Sequence, residues 1–568
     1  MRFKRIFMAG CARLAAVPIV LALAAWTASG DGQEDAGFGY SVSSAGDVNN
    51  DGFDDVIVGA PYYDTAVVQE GMAFLYLGSE SGLSPTQSWT ASGGDEPGAR
   101  YGSSVSSAGD VNNDGFDDVI VSNVSGDTFL YFGTQGGLES EPSWKSSNED
   151  HGTAGFGRAV SCAGDVNNDG FDDVIVGASN SAFLFLGSAS GLSTIPVWIS
   201  TCEQDGAQYG YCVASAGDVN DDGYDDVIVG ALSYYSADEL AGKVFLYLGS
   251  ETGPSTTPAW TSSGDDQEGA LFCKVSSAGD VNNDGFDDVI VGASHQDIAA
   301  EGEGKAFLYL GSASGLMIEP AWISSGDDLP YAAFGFSVST ARDVNGDGFS
   351  DVIIGAAYER TYYRGEGKVF LYLGSESGLS ETPAWVSRGD KRTGAWLGFS
   401  VASAGDVNND GFDDVVFGAP GDVTSYNGWP GKAYLHTGSI YGICGPDTPC
   451  DDGDPCTHDD TCSEGNCSGT AYTCDDDNPC TADMCNSDGT CSHTNVEGAC
   501  DDGEPCTEGD TCQNGVCTGG TDYCVKSDGC FCGLDSGKMQ SPGTVVFFVL
   551  VGFLAVALRR KQEDEHIP

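Results

Sequence analysis

Nine residues, Asp47-Val48-Asn49-Asn50-Asp51-Gly52-Phe53-Asp54-Asp55, set side-chain oxygens at positions 1, 3, 5 and 9 and a glycine at position 6. A hard cation such as Ca²⁺ takes about six to eight oxygens, and glycine at position 6 permits the sharp turn that wraps an ion. Asp47, Asn49, Asp51 and Asp55 therefore read as side-chain ligands, with the Phe53 carbonyl beside them. The same pattern returns as Asp110, Asn112, Asp114, Phe116 and Asp118; as Asp165, Asn167, Asp169, Phe171 and Asp173; and as Asp218, Asn220, Asp222, Tyr224 and Asp226. Three further copies are Asp280, Asn282, Asp284, Phe286 and Asp288; Asp343, Asn345, Asp347, Phe349 and Asp351; and Asp406, Asn408, Asp410, Phe412 and Asp414.

Asn-Asp-Gly is also a good hairpin turn, and that alone explains one or two copies. It does not explain carboxylates fixed at positions 1, 5 and 9 in all seven, with no Lys or Arg inside the motif to offset their repulsion. The expectation is up to seven structural Ca²⁺ ions, with affinities of ~0.1–1 mM. The first half of each turn matches an EF-hand loop. The second half does not, because position 12 is Val58 rather than Glu, so Asp55 has to complete the cage.

The turns need elements to hold them, and the repeat of 53 to 63 residues supplies them. Each unit reads as four short strands: "YSVSSAG" before the turn, the continuously apolar "DVIVGA" after it, "AFLYLG", and a strand carrying Trp, as at Trp89. Four strands per unit, repeated radially, predict an all-β, seven-bladed β-propeller over residues 25–440. The seventh unit lacks its Trp strand, and "AWTASGD" at Ala25 to Asp31 matches "SWTASGGD" at Ser88 to Asp95, so Trp26 is expected to close the ring. That places the end of a signal peptide at residues 1–24, after basic Arg2, Lys4 and Arg5 and an apolar stretch.

Composition narrows the partners. With 85 Asp and Glu against 23 Lys and Arg, the net charge is −62, which excludes nucleic acid as a partner. The 40% apolar content still suffices for a core, so the acid must be organised rather than disordered.

Phe38-Gly39, the Asp47 to Asp55 turn and Gly59-Ala60-Pro61 together resemble the FG-GAP repeat of integrin α-subunits and of related bacterial surface proteins. The resemblance implies a seven-bladed propeller with Ca²⁺ in its strand-turn-strand loops. Departures are "LFCK" at Leu271, Pro61 recurring only as Pro420, and no inserted adhesion domain, so an integrin-like partner subunit is not implied.

In such blades the acidic turns occupy one rim and the strand 2–3 and 4–1 loops the other. The second rim varies most among the repeats and is rich in aromatics: Tyr62, Tyr63, Tyr234, Tyr235, Tyr362, Tyr363, Tyr426 and Trp429. Variable loops on a rigid scaffold are the usual seat of binding, and these residues are candidates for it, although they can equally pack loop against blade. Arg388-Gly389-Asp390 aligns with "SSGD" elsewhere and is read as chance. Cys202 and Cys212 bracket a strand 4–1 connection and are candidates to pair.

Six scattered His and no His-Glu-x-x-His, G-x-S-x-G or Walker loop leave no catalytic constellation, so an enzyme is not expected. The leading reading is an adhesion or macromolecule-binding module for an extracellular protein or glycan. A lectin-like glycan binder is the alternative, and a secreted hydrolase with a convergent site ranks third.

Sixteen cysteines fall between Cys444 and Cys532, where three units such as "CDDGDPCTHDDTCSEGNC" repeat. Residues 444–524 are read as a disulfide-built stalk in place of a core; zinc competes less well, because C-x₂-C spacing is missing. A linker at 525–543 holds Cys530 and Cys532, followed by the apolar run 544–558 and a basic tail at 559–568. Fifteen residues span ~22 Å as a helix against an apolar core of about 30 Å, a short transmembrane helix. Cysteines, short helix and terminal Arg resemble the MYXO-CTERM sorting tag. That resemblance implies display at a bacterial surface or outer membrane, with the tail cut near Cys530 or Cys532; a plain anchor displays the protein the same way.

Overall fold

The computed structural model describes residues 25–439, except for short stretches at 95, 237–238, 265–268, 296–301, 327–330, 359–364, 389–393 and 422–429. It also describes 457–463, 466–471, 478, 480–485, 491–501 and 507–522. The expectations for the signal peptide, Tyr362, Tyr363, Gly389, Asp390, Tyr426, Trp429, Cys530, Cys532 and the apolar run 544–558 lie outside the described residues. Among the described residues no helix is long and apolar enough to cross a membrane.

Seven four-stranded antiparallel sheets form the blades of a β-propeller. The first blade is Ser41–Gly46, Asp55–Ala60, Met72–Tyr76 and Trp89–Ser92, paired in that order. Its first strand touches the first strand of the second blade, Ser104–Gly109; the contact passes on from blade to blade, and the seventh, Ser400–Gly405, touches the first again. The first strands therefore line the central channel. In the seventh blade the outer strand is Trp26–Ala28, with Trp26 opposite Leu435 and Ala28 opposite Ala433. The ring is thus closed by pairing the beginning of the described chain with the last blade.

Why each second strand is apolar after its opening Asp, save for Ser122, follows from this stacking. Asp55–Ala60 is buried at every position because neighbouring blades cover both of its faces. Seven apolar clusters fill the spaces between blades; one joins Trp26, Val416 and Leu435 of the seventh blade to Phe38, Val56, Phe74 and Tyr76 of the first. The Phe-Gly and Gly-Ala dipeptides are where blades meet most closely. A side chain at Gly59 would run into the Gly102 carbonyl of the next blade, and Gly39 sits at φ 83°.

The recurrent Trp is an inter-blade clip. Trp26 Nε1 donates to the Ser84 carbonyl of the first blade at 2.9 Å, Trp89 to Glu139 at 2.8 Å and Trp198 to Ser255 at 3.0 Å. Six of the indoles also meet the next blade's third-strand aromatic edge-on, as Trp26 meets Tyr76 at 4.9 Å; Trp385 is the exception, tilted on His436 at 4.8 Å with an Nε1 that has no acceptor.

The chain divides into compact units at Ala471 and Tyr472. In the second unit short hairpins such as Thr511–Gln513 with Val516–Thr518 are stapled by the Cys480–Cys512 and Cys500–Cys517 disulfides. Cys480, Cys500 and Cys517 cluster closely enough to suggest a metal, but all three sulfurs are used in these bonds.

Candidate functional site

Each acidic turn joins the first strand of its blade to the second, and its nine positions divide the work. Position 1 organises the turn: Asp47 accepts the backbone N–H of Asp51 at 3.0 Å and of Gly52 at 2.8 Å. Position 5 accepts within the turn, Asp51 from the Phe53 N–H at 3.2 Å. Position 9 is fully buried in all seven blades. There Asp55 takes the N–H of Val48 at 3.1 Å and of Gly78 at 2.8 Å, tying the turn to the third strand.

Position 3 separates the turns into two groups. In four, the Asn oxygen takes the position-5 N–H, as Asn167 does from Asp169 at 3.1 Å. In the other three, Asn49, Asn112 and Asn220 hold a buried Oδ1 with no donor. A buried oxygen without a donor is costly, and beside two carboxylates it fits a cation. Burial pushes the position-9 carboxyls up, to about 8 for Asp55, Asp118, Asp173, Asp351 and Asp414 and about 7 for Asp226 and Asp288. Two backbone donors pull each of them down, and the carboxylates at positions 1 and 5 push further up. The all-oxygen donor set and the stranded Asn oxygens fit Ca²⁺, although the carboxylate oxygens of a turn do not converge within 4.8 Å among the described residues.

Position 8 carries a function that sequence reasoning passed over. Asp117 accepts the N–H of Asp47, position 1 of the preceding blade, at 2.8 Å. Asp172 does the same for Asp110, Asp225 for Asp165, Asp287 for Asp218, Asp413 for Asp343 and Asp54 for Asp406. The turns are therefore linked around the ring, with Ser350 as the exception at this position. Beside it, Arg342 replaces the usual glycine before position 1 and lies 3.7 Å from Asp413.

At the far end of the first strands, about 20 Å away for a strand of six residues, the chemistry reverses. One residue follows the Phe-Gly pair or its equivalent in six blades: Tyr40, Ser103, Arg158, Tyr211, Phe336 and Phe399. The fifth blade is one residue shorter here, which brings Lys274 opposite Gly292, the register Ser41 holds opposite Gly59. These side chains line a cavity of about 510 Å³ at the mouth of the channel. Arg158 lies over the Tyr211 ring at 4.1 Å, and Lys274 over Tyr211 at 5.1 Å and Phe336 at 5.5 Å. Phe399 packs on Tyr40 at 4.7 Å and on Phe336 at 5.0 Å. No lining residue is acidic, and among the described residues neither Arg158 nor Lys274 has a carboxylate partner. Asn123, also in the lining and 1% exposed, has an Nδ2 without an acceptor.

The loop tyrosines divide. Tyr62 lies under Arg100 at 5.0 Å and edge-on to Tyr40 at 6.0 Å, beside the mouth. Tyr63 donates to Asp31 at 2.7 Å and packs on Phe74, while Tyr234 packs on Phe245. Tyr235 is 52% exposed. Cys202 and Cys212, proposed above as a pair, are both free thiols; the sulfur facing Cys212 is that of Cys273.

Comparison with known proteins places this geometry. The FG-GAP repeat profile matches residues 38–76, 275–309, 334–372 and 397–436, and the FG-GAP-like repeat profile matches 110–176 and 165–229. Integrin alpha-4 of Xenopus laevis is 31% identical over 271 residues, which cover 46% of this chain and 25% of that protein. Integrin alpha-3 of Cricetulus griseus is 32% identical over 227 residues, covering 38% and 21%. The chain thus spans a quarter or less of the length of these relatives. A solved structure of BBS1N in complex with ARL6DN aligns at 11% identity with a TM-score of 0.42, over 73% of this chain and 96% of that one.

Proposed function

Because the chain is an FG-GAP-repeat β-propeller, we propose that it is a non-catalytic, calcium-stiffened adhesion module that binds an extracellular protein at the channel mouth opposite its acidic turns. Asp47, Asn49, Asp51 and Asp55 and their six sets of counterparts hold Ca²⁺, which supplies positive charge to carboxylates that burial penalises. The turns brace the ring through the position-8 links and leave the other face free to bind. The similarity to integrin α-chains supports binding over catalysis.

The observation that carries this reading is the inversion of charge at the mouth. In a chain of net charge −62, this cavity is lined by Arg158, Lys274 and aromatic rings with no carboxylate. Its charged groups, Arg158 and Lys274, are donors without a carboxylate partner among the described residues, and four serine hydroxyls around it are engaged. Ser41 and Ser104 accept the N–H of Val105 and Val160, and Ser337 and Ser400 donate to the carbonyls of Gly398 and Gly39. A neutral sugar would leave both cations without a counter-charge. A Glu or Asp side chain offers acceptors only, on an apolar stem that suits the rings. The geometry therefore favours an acidic side chain of a protein partner over the glycan reading.

A random-peptide display library panned on the full chain in Ca²⁺, then counter-panned on the Arg158→Ala/Lys274→Ala double variant, tests this. Enriched peptides should carry Asp or Glu and lose binding on the variant. Enrichment without acidic residues, or equal capture by the variant, refutes it.

A further inference from the structure

The border between the fourth and fifth blades differs from the others. On the first strands, one register faces the next blade: Ser41, Ser104, Ala159, Ser337 and Ser400 occupy it in five blades, and Cys212 in the fourth. At two borders the serine donates to the glycine carbonyl of the next blade, Ser337 to Gly398 and Ser400 to Gly39, both at 2.9 Å. At the fourth border that glycine's place is taken by Cys273: its carbonyl crowds Gly230 as the Gly398 carbonyl crowds Gly355. Two departures from the repeat, 61 residues apart in sequence, thus meet across one border. Their Sγ atoms are 3.7 Å apart, with Cys212 8% exposed and Cys273 fully buried.

We propose that Cys212 and Cys273 form an inter-blade disulfide when the protein meets a small-molecule disulfide such as oxidised glutathione. The sulfurs must approach by about 1.7 Å to reach bonding distance, within the range of small side-chain rotations. Cys212 lines the mouth cavity and is the sulfur a reagent reaches. Its thiolate attacks one reagent sulfur and expels the other as a thiolate, leaving a mixed disulfide. The Cys273 thiol then gives up its proton, and its sulfur displaces the bound reagent half. The protein loses two hydrogens, and the reagent disulfide is reduced to two thiols.

The surroundings favour this order of attack. Burial pushes the Cys212 thiol up, but the hydrogen bond with Cys273 and the charges of Lys274 and Arg158 outweigh it and hold the thiol below its ordinary value. Cys273 is pushed well up, first by burial. The bond pins together the strands that carry Tyr211 and Lys274, two walls of the mouth. By the chain-entropy relation, a cross-link spanning 61 residues in a propeller of this size raises Tm by about 5 °C.

The test uses the full chain, equilibrated with oxidised glutathione, unfolded, alkylated without reduction and mapped by peptide mass spectrometry. The expected result is a cross-linked peptide pair joining Cys212 to Cys273, with Cys162 and Cys202 alkylated. Alkylation of Cys212 and Cys273, or a Cys202–Cys212 link, overturns the proposal. Cys212→Ser restores the serine four other blades carry and should fold. It should leave Cys273 alkylated and abolish the oxidation-dependent rise in Tm; a rise that persists in this variant also overturns it.

Discussion

Replacing Asp118 by asparagine separates the two roles of a position-9 carboxylate. Asp118 is fully buried and accepts the N–H of Val111 at 3.1 Å and of Gly133 at 2.9 Å. Asparagine keeps the shape but only one acceptor oxygen, so one buried N–H loses its partner at a cost of about 1–3 kcal/mol, with or without calcium. The loss of the charge matters only when the cation is present. At 10 mM Ca²⁺, a site with Kd of ~0.1–1 mM adds roughly 1.4–2.7 kcal/mol by mass action. The entropy of unfolding residues 25–439 is about 0.9 kcal/mol/K, so one site is worth roughly 1.5–3 °C in Tm and seven together roughly 11–22 °C. Calorimetry of the full chain in 10 mM Ca²⁺ and in EGTA reads both quantities. Wild type should fall by the larger amount on chelation, and Asp118→Asn should show a calcium increment smaller by about one site. A Tm indifferent to chelation, or an undiminished increment in the variant, refutes the reasoning.

Without metal, stability should depend on pH in the direction opposite to that of ordinary ion-paired carboxylates. The folded carboxyls of Asp55, Asp118, Asp173, Asp351 and Asp414 lie near 8, above the ~3.9 of an unfolded chain. The folded state holds more protons between these values, so their contribution is complete below about pH 4 and is lost as pH rises towards 8. Urea midpoints in EGTA should fall from pH 5 to 8, and Ca²⁺, which needs the ionised form, should remove the fall; a flat or rising EGTA profile contradicts this. Trp26→Ala removes the ring-closing indole, its bond to Ser84 and its contact with Tyr76, and should cost about 3–5 kcal/mol. Tyr235→Ala, at a 52% exposed position, should stay within about 0.5 kcal/mol, and equal losses for the two would contradict closure by this strand.

The fold was legible because the repeat prints its strands seven times, and the incomplete seventh copy pointed to Trp26 as the missing strand. The acidic turns were legible as strand-to-strand connections from their fixed spacing, and cation binding at positions 1, 3, 5 and 9 is the proposal that the calorimetry above tests. The position-8 links were not, since Asp117 and the Asp47 amide it accepts are 70 residues apart and meet only when blades stack. The mouth was hidden for a different reason. Each blade contributes one residue, and Tyr40, Ser103, Arg158 and Phe336 share no chemistry that a repeat comparison would flag. Counting loop aromatics selected Tyr63 and Tyr234, which the structure packs against Phe74 and Phe245, because composition does not distinguish a ring that covers a blade from one that faces a partner. Proximity in sequence likewise suggested Cys202 for Cys212, whereas the ring brings Cys273 to it.

Hydrogen–deuterium exchange of the full chain in Ca²⁺, with and without an acidic peptide selected on it, tests the division between bracing turns and binding mouth most directly. The account predicts new protection in the segments around Tyr40, Arg158, Tyr211, Lys274, Phe336 and Phe399 and none in the seven acidic turns. Protection confined to the turns, with the mouth unchanged, would contradict it.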